Sequence, residues 1–330
     1  MILHTHISEI YQEQWDTLVK QSPTATFFQT RECFDFYNTL SFMKPFIYGV
    51  SENNKLVGLI CGYIIFDGNS LKQYFSRRAI VPGGVLLAEN ITQNTLVEFL
   101  KFVTNQLKKK AIYLELRNYN DYSTYKSTFE SAGFAYQSHL NFHVDTSNEV
   151  QAKKRISESK LRQFKLAENR GVSYEQTTNV DDIISFYNCL NSLYERIRKP
   201  LFPLEFFLNI AQLPSARIFV VKQNNIIIGG MTSVFMPQNC MYEWFVCGEE
   251  SDTQKLYPSV VATIAGINYA IKHNIKKFDF MGAGKPDKEY GVREFKSKFG
   301  GELVEHGRFL YICSPLLYNL GRFAVSLKIN

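Results

Sequence analysis

The sequence predicts an α/β (α+β) chain made of two similar halves, each a mixed β-sheet flanked by helices. Length is the first observation behind this. At 330 residues, 45% hydrophobic and 15% aromatic, the chain suffices for one large or two ordinary domains with buried cores. The second is an echoed turn: Asn53-Asn54-Lys55-Leu56-Val57-Gly58 returns as Asn224-Asn225-Ile226-Ile227-Ile228-Gly229, and in both places a long apolar strand continues past the glycine. The third is an echoed helix–strand unit. A helix over 92–110 leading into Ile112-Tyr113-Leu114-Glu115-Leu116 corresponds to a helix over 258–274 leading into Lys276-Lys277-Phe278-Asp279-Phe280, each strand carrying one acid at its middle. The halves are expected at 1–148 and 149–330, joined near 145–152.

Taken in order, Ser8 reads as the cap of a helix from Glu9 to Lys20, with Ile10, Trp15, Leu18 and Val19 on its apolar side and Pro23 as its stop. Glu32 to Leu40 is a second short amphipathic segment. Phe46 to Val50 and Leu56 to Phe66 read as strands paired across Glu52-Asn53-Asn54-Lys55. Thr92 to Lys110 is a helix, Ala111 to Arg117 a strand, and Thr124 to Ala132 a helix ended by Gly133. Gln151 to Arg170 reads as one basic helix with Ile156, Leu161, Phe164 and Ala167 as its stripe and Gly171 as its stop. Met241 to Gly248 is a strand. Beyond Pro315, Leu316, Leu320, Phe323 and Leu327 recur at helical spacing, which predicts a helix closing the second half.

Several function classes recede on composition. The longest apolar run, Val57 to Phe66, is too short to span a bilayer and contains two glycines. The opening MILHTHISEI lacks the basic and apolar regions of an export signal, so a cytoplasmic location is expected. Six cysteines without C-x-x-C spacing suit reduced core thiols. No metal site is expected, because the histidines are scattered and His139 and His143 lack nearby acids or thiols in sequence. A net charge of +6 permits an anionic ligand without requiring one.

Three stretches carry candidate chemistry. In Arg77-Arg78-Ala79-Ile80-Val81-Pro82-Gly83-Gly84, two arginines precede a turn where glycine lets backbone approach a ligand. They would grip a phosphate or carboxylate, or else are solvated charges at a strand end. In the 151–170 segment, Lys153, Lys154, Arg155, Lys160, Arg162, Lys165 and Arg170 outnumber Glu158 and Glu168, a dock for phosphates or a solvated face. The third stretch, Lys276 to Gly301, is a short strand, a Gly282-Ala283-Gly284 break, a basic loop, and Glu294-Phe295-Lys296-Ser297-Lys298-Phe299. There Phe295 and Phe299 share one face of a short helix.

The segments Ser159 to Lys165 running into Asn169-Arg170-Gly171-Val172, Phe278-Asp279-Phe280-Met281-Gly282, and Phe295-Lys296-Ser297-Lys298-Phe299-Gly300-Gly301 together resemble the Fem family of non-ribosomal peptidyltransferases. Ala25-Thr26-Phe27-Phe28-Gln29-Thr30 and the Arg78 to Gly84 turn look like landmarks of the same family. The resemblance implies two tandem GNAT-like (acetyltransferase-like) domains and a reaction in which an aminoacyl group passes from aminoacyl-tRNA to an amine of a peptidoglycan precursor, with no resident cofactor. It implies a donor-binding set of Arg293, Phe295, Lys296 and Lys298, with Lys296 offsetting phosphate charge. The implied acceptor-binding set, for a nucleotide- or lipid-linked cell-envelope precursor, is Gln29, Arg77, Arg78, Lys160 and Arg162. The expected catalytic strand is Tyr242-Glu243-Trp244-Phe245. Tyr242, Glu243 and Asp279 are the catalytic candidates, although Asp279 reads equally as a structural acid.

The sequence departs from relatives in three places. Glu249 to Ser259 has no glycine turn to hold the pyrophosphate of coenzyme A, which counts against an acetyl-CoA or acyl-CoA donor in the second half. Leu190 to Pro214 is too short and proline-broken for the long helical hairpin of some members. No lysine follows Gln29 within Thr30 to Leu40. The alternatives kept open are acyl-CoA-dependent acylation of an amino sugar or peptide, and a non-catalytic binding module. A peripheral contact of the C-terminal helix with the inner membrane face is a further expectation.

Overall fold

The computed structural model describes residues 1–66, 76–249 and 255–329, with side chains of the last helix described to Phe323. In chain order the strands are β1 (Ile2–His4), β2 (Met43–Glu52), β3 (Lys55–Ile65), β4 (Arg78–Pro82), β5 (Leu86–Leu87), β6 (Tyr113–Arg117), β7 (Ala135–Gln137) and β8 (Leu140–Asp145). They continue with β9 (Val172–Thr177), β10 (Ala216–Gln223), β11 (Ile226–Met236), β12 (Cys240–Gly248), β13 (Lys277–Asp279), β14 (Glu302–Glu305) and β15 (Arg308–Ile312). They form two mixed sheets. One runs β1-β2-β3-β4-β6-β15-β7, with β5 on β3; the other, taken from its far edge, runs β9-β10-β11-β12-β13-β8-β14.

The two orders are the same, strand for strand. Each sheet opens with an antiparallel hairpin whose two turn residues are asparagines with left-handed backbone: Asn53 and Asn54 at φ 48 and 59, Asn224 and Asn225 at φ 50 and 63. A two-residue turn with both residues left-handed matches the twist of the flanking strands, and asparagine tolerates that conformation. A register slip sits beside each turn, at Val50/Ser51 and at Val221/Lys222. Each sheet then has one parallel pair, β4/β6 or β12/β13. The crossover between the parallel strands contains the helix Gln93–Leu107 in one half and Pro258–Lys272 in the other. The echoes of the sequence are therefore echoes of fold.

The strand beside the last edge is exchanged. β15, from the end of the chain, lies between β6 and β7, while β8, which follows β7 directly, lies between β13 and β14. The compact units are accordingly Met1–His139 with Glu305–Asn330, and Leu140–Val304. The expected boundary between 148 and 149 leaves β8 in the wrong half and places β15 and the C-terminal helix in the second half rather than the first. Periodicity identifies a strand and its buried face; it does not say which sheet accepts it.

In the first unit, Leu96, Phe99, Leu100, Val103 and Leu107 of the helix Gln93–Leu107 pack on Val57, Val81, Leu114 and Leu116 of the sheet. Part of the other face is covered by the helices Gln12–Gln21 and Arg31–Asn38, which bury Trp15, Phe34 and Tyr37. In the second unit the helix Pro258–Lys272 is buried along most of its length against Met231, Met241 and Phe278. A Cβ at Gly266 would lie 2.3 Å from Met231 Cε and 2.8 Å from Phe278 Cε2, so a side chain there would push both aside.

Local expectations needed three corrections. The basic helix is two helices, Glu149–Arg155 and Glu158–Asn169, because Ile156 is extended at ψ 131 and Ser157 caps the second by accepting from Lys160 N. Leu161 consequently leaves the apolar stripe and is 42% exposed. Ser8 falls in a short 3-10 turn, Ile7–Glu9, and the first helix starts at Gln12. The helix Pro315–Ile329 follows β15 in the first unit, where Tyr318 meets the Tyr113 ring at 5.7 Å. Its Leu316, Leu320 and Phe323 are exposed. Among the described residues no helix is long and apolar enough to cross a membrane.

Candidate functional site

β12 and β13 run parallel only from Cys240 to Tyr242 against Lys277 to Asp279. β13 then ends, while β12 continues to Gly248. On its other side β12 slips register against β11, with Ser233 opposite Glu243 and Thr232 opposite Phe245, so Trp244 is a bulge. Glu243 is thus the first residue beyond the paired stretch, at an opening between parting strands. This lies within the tetrapeptide where the sequence placed the catalytic strand. Tyr242, its neighbour, is buried in the ladder and points to the opposite face.

The opening holds a buried acid, Glu243, and a half-buried base, Lys296. Glu243 Oε2 accepts from Thr263 Oγ1 at 3.1 Å; its Oε1 has no hydrogen-bond partner and lies 3.9 Å from Lys296 Nζ. Burial pushes the Glu243 carboxyl up to about 7, against the opposing pull of Lys296 and Thr263. Lys296 is on the short helix Gly291–Ser297. Its ammonium donates to Phe280 O at 2.7 Å and to Gly282 O at 2.9 Å, carbonyls that the chain presents as it leaves β13. Burial draws its pKa down, and Glu243 and Asp279 draw it back up.

Asp279 is fully buried and heavily bonded. Oδ1 accepts from Asn141 Nδ2 at 2.7 Å and from Met281 N at 2.6 Å, and Oδ2 lies 2.9 Å from His143 Nε2. Burial alone would raise this carboxyl, but His143, Lys277 and Asn141 hold it below the usual range. Its place is structural: it ties β8 to the turn at Met281, where φ is 56. His143 therefore has an acid beside it, contrary to the sequence reading. That pairing arises from strand exchange, since His143 of β8 stands opposite Asp279 of β13. Asn141, Thr263 and His143 were all missed. The only sequence signal was that Asn141 and His143 share a face of one strand.

The expected donor set divides. Phe295 and Phe299 meet at 5.1 Å. Lys160, expected with the acceptor set, has its ammonium 4.3 Å from the Phe295 ring centroid and 5.8 Å from that of Phe299. Arg162 and Lys165 on the same helix are exposed, as is Lys298. Arg293 is spent on the turn: Nε donates to Ala283 O at 2.9 Å and a terminal nitrogen donates to Lys285 O. Lys296, expected beside phosphate at an aromatic wall, instead faces inward to Glu243.

In the first unit, Gln29 is a clasp rather than a ligand-facing group. Its Nε2 donates to Gly83 O and Gly84 O at 2.9 and 3.0 Å, and its Oε1 accepts from Thr26 N and Thr26 Oγ1 at 2.7 and 3.0 Å. Burial is complete. The turn it holds needs glycine, since Gly83 has φ 80 and a Cβ there would lie 2.2 Å from Thr26 Oγ1. Arg78 opens β4 in register with Tyr113, whereas Arg77 precedes the strand and accepts from Ile112 N through its carbonyl. Within the 249–259 segment, residues 250–254 lie outside the described residues. Of the remainder, Glu249 N bonds Ile228 O and Leu256 is buried in the core. The six cysteines are free, and burial pushes every thiol up, which disfavours the thiolate a nucleophile needs.

Residues 213–326, which contain Glu243, Asp279 and Lys296, match the FemAB family. No curated protein matches the sequence. Among solved structures, FemX is similar over 97% of this chain and 99% of its own, with a TM-score of 0.72 at 16% identity. A tandem GNAT protein from the clavulanic acid biosynthesis pathway matches over 95% of this chain and 99% of its own, with a TM-score of 0.57 at 9% identity. L-PGS from Bacillus licheniformis matches over 90% of each chain, with a TM-score of 0.57 at 13% identity. At such identities the likeness concerns fold, and it bears out two acetyltransferase-like halves.

Proposed function

We propose that this chain, Fem-type by its match over 213–326 and a tandem acetyltransferase by fold, is an N-acyltransferase that moves an aminoacyl group from aminoacyl-tRNA to an amine of a cell-envelope precursor. The observation that carries the reading is the Glu243–Lys296 pair at the β12/β13 opening. In this reaction the amine nitrogen bonds to the ester carbonyl carbon, negative charge builds on the carbonyl oxygen, and the bond to the ribose oxygen breaks. One proton leaves the amine and one joins the departing ribose oxygen. A carboxyl raised to about 7 beside a lysine whose pKa burial draws down forms a coupled pair whose acid loses its proton near neutral pH. Such a pair takes up the amine's proton and returns it to the leaving group. The lysine's positive charge opposes the developing oxyanion.

The donor side is supported by half-buried Phe295 with Lys160 on its ring and by exposed Arg162, Lys165 and Lys298, while Phe299 is spent on the core. Aromatic faces with cations at their rim suit the bases and phosphates of a tRNA acceptor end. Incubation with radiolabelled aminoacyl-tRNA or acetyl-CoA and candidate amines tests the reading. Label passing from tRNA supports it; label passing only from the thioester replaces the donor; no transfer with either makes the chain a binding module. Lys296→Met is expected to lower kcat with the tRNA donor by roughly 10²–10³-fold. Unchanged turnover refutes the role given to Lys296.

A further inference from the structure

The helix Pro315–Ile329 belongs to the first unit, and the chemistry above makes no use of it. Leu317 and Tyr318 are half-buried, with Tyr318 on the Tyr113 ring, and so mark the side that rests on the unit. Leu316, Leu320 and Phe323 are 72%, 55% and 64% exposed. At the pitch of an α-helix these three fall within an arc of about 60°, centred about 140° round from Leu317 and Tyr318. The sequence repeats the spacing at Leu327. Large apolar side chains scattered singly over a surface are ordinary, but a row of them turned away from the unit is an interaction surface.

The charge on the helix and at its foot has one sign. The helix has no aspartate or glutamate; it carries Arg322, which is exposed, and its sequence adds Lys328. At the foot, Cys313 N and Ser314 N both donate to Ile112 O, at 2.9 and 3.0 Å. That carbonyl comes just after Lys108-Lys109-Lys110, all three exposed. Burial pushes the Cys313 thiol up to about 11 while the charge of Lys108 draws it down, so this ammonium stands close to the start of the helix. Row and charge together select one occupant. A second copy of the chain, packed through the row by a two-fold axis, would set each cationic foot against its twin. A bilayer with anionic lipid offers hydrocarbon to the row and negative headgroups to the cations, whose long stems let charge and apolar face sit at different depths. Fifteen residues make a helix about 22 Å long, short of a hydrocarbon core of roughly 30 Å. It therefore lies along the surface and does not cross.

We infer that the helix Pro315–Ile329 docks the first unit on an anionic bilayer surface, with Leu316, Leu320 and Phe323 entering the headgroup boundary and Lys108, Lys109 and Arg322 meeting the lipid phosphates. A single weak anchor binds a membrane only marginally, and an apolar insertion joined to a basic patch makes the attachment firm. Loss of either half should therefore release the protein. The inference concerns where the protein works, and it stands apart from the proposed reaction, which uses Glu243 and Lys296 of the second unit.

Flotation of the full chain with vesicles tests it, using phosphatidylcholine alone and an equal mixture of phosphatidylcholine and phosphatidylglycerol. The wild type is expected to partition at least about tenfold more strongly onto the mixed vesicles than onto the neutral ones, and to be released as salt is raised. Leu316→Ser combined with Leu320→Ser is expected to lose at least about tenfold in partitioning with an unchanged melting temperature, since both side chains are exposed. Lys108→Gln combined with Lys109→Gln is expected to lose a similar factor at low salt and to flatten the salt dependence. Leu320→Trp should emit further to the blue on mixed vesicles and be quenched by brominated acyl chains, which reports insertion. Absent flotation of the folded wild type, equal flotation with both lipid compositions, or leucine or lysine variants that float like the wild type each overturn the inference. Flotation without the blue shift overturns it too, being adsorption by charge alone. A wild type that is dimeric in solution and becomes monomeric on the leucine substitutions makes the row a contact between copies and likewise overturns it. Should the double leucine variant not fold, Leu316→Gln, at the most exposed of the three positions, is read in its place with the same two outcomes.

Discussion

Glu243→Gln separates a proton-handling glutamate from a merely buried one. The carboxyl titrates at about 7 in the fold, against 4.5 for an unperturbed glutamate. Because its folded value is raised, the native state binds the proton more tightly, and the resulting stability is fully present below pH 4.5 and lost as pH rises through about 7. At 1.36 kcal/mol per pH unit of displacement, ionised Glu243 costs about 3 kcal/mol. Glutamine keeps the volume and a hydrogen-bonding partner for Thr263 but cannot ionise. In urea unfolding followed by tryptophan fluorescence, the stability of Glu243→Gln minus that of the wild type should therefore grow by about 3 kcal/mol from pH 4.5 to pH 8.5, the attraction to Lys296 being already contained in the folded value of about 7. Over the same range turnover should fall by roughly 10²–10⁴-fold, the span of general acid–base contributions. A stability difference that stays flat with pH, or turnover that survives the change, refutes the reasoning.

Two further outcomes follow from the same geometry. Asp279→Asn breaks the pairing of fully buried Asp279 with half-buried His143 and should cost roughly 1–3 kcal/mol at pH 7. Because the folded Asp279 pKa is lowered, its contribution is present above the unperturbed value of 3.8 and lost as pH falls through the folded value, so the penalty measured by urea unfolding should shrink as pH falls below 3.8. Gln29→Ala leaves Thr26 N and the carbonyls of Gly83 and Gly84 without their buried partner. It should cost roughly 2–4 kcal/mol, with acceptor KM unchanged in whatever enzyme remains folded, since Gln29 holds the turn and not the ligand.

What the sequence disclosed is what local pattern encodes. The asparagine turns, the long strands behind them and the paired helix–strand units were readable because turn chemistry and apolar period act within a dozen residues. Glu243 was legible as an acid embedded among strand aromatics. What escaped depended on contacts distant in the chain. His143 reads as an isolated histidine until β8 is set beside β13. Lys296 reads as an outward lysine on a helix whose phenylalanines face the core; only the Phe280 and Gly282 carbonyls show why it turns in. Lys160 was grouped by charge with its helix, when its position is fixed by the Phe295 ring. The break at Ile156 was masked because apolar spacing carries through it, although Ser157 carries a capping side chain.

The path of the backbone also bears on how the polypeptide matures. Residues 140–304 form a contiguous unit, whereas 1–139 must wait for 305–330. Until Arg308–Ile312 emerges from the ribosome, β6 presents a bare edge and β7 has no neighbour. The half made first is therefore finished last, and a nascent chain stalled before residue 308 exposes a sticky rim.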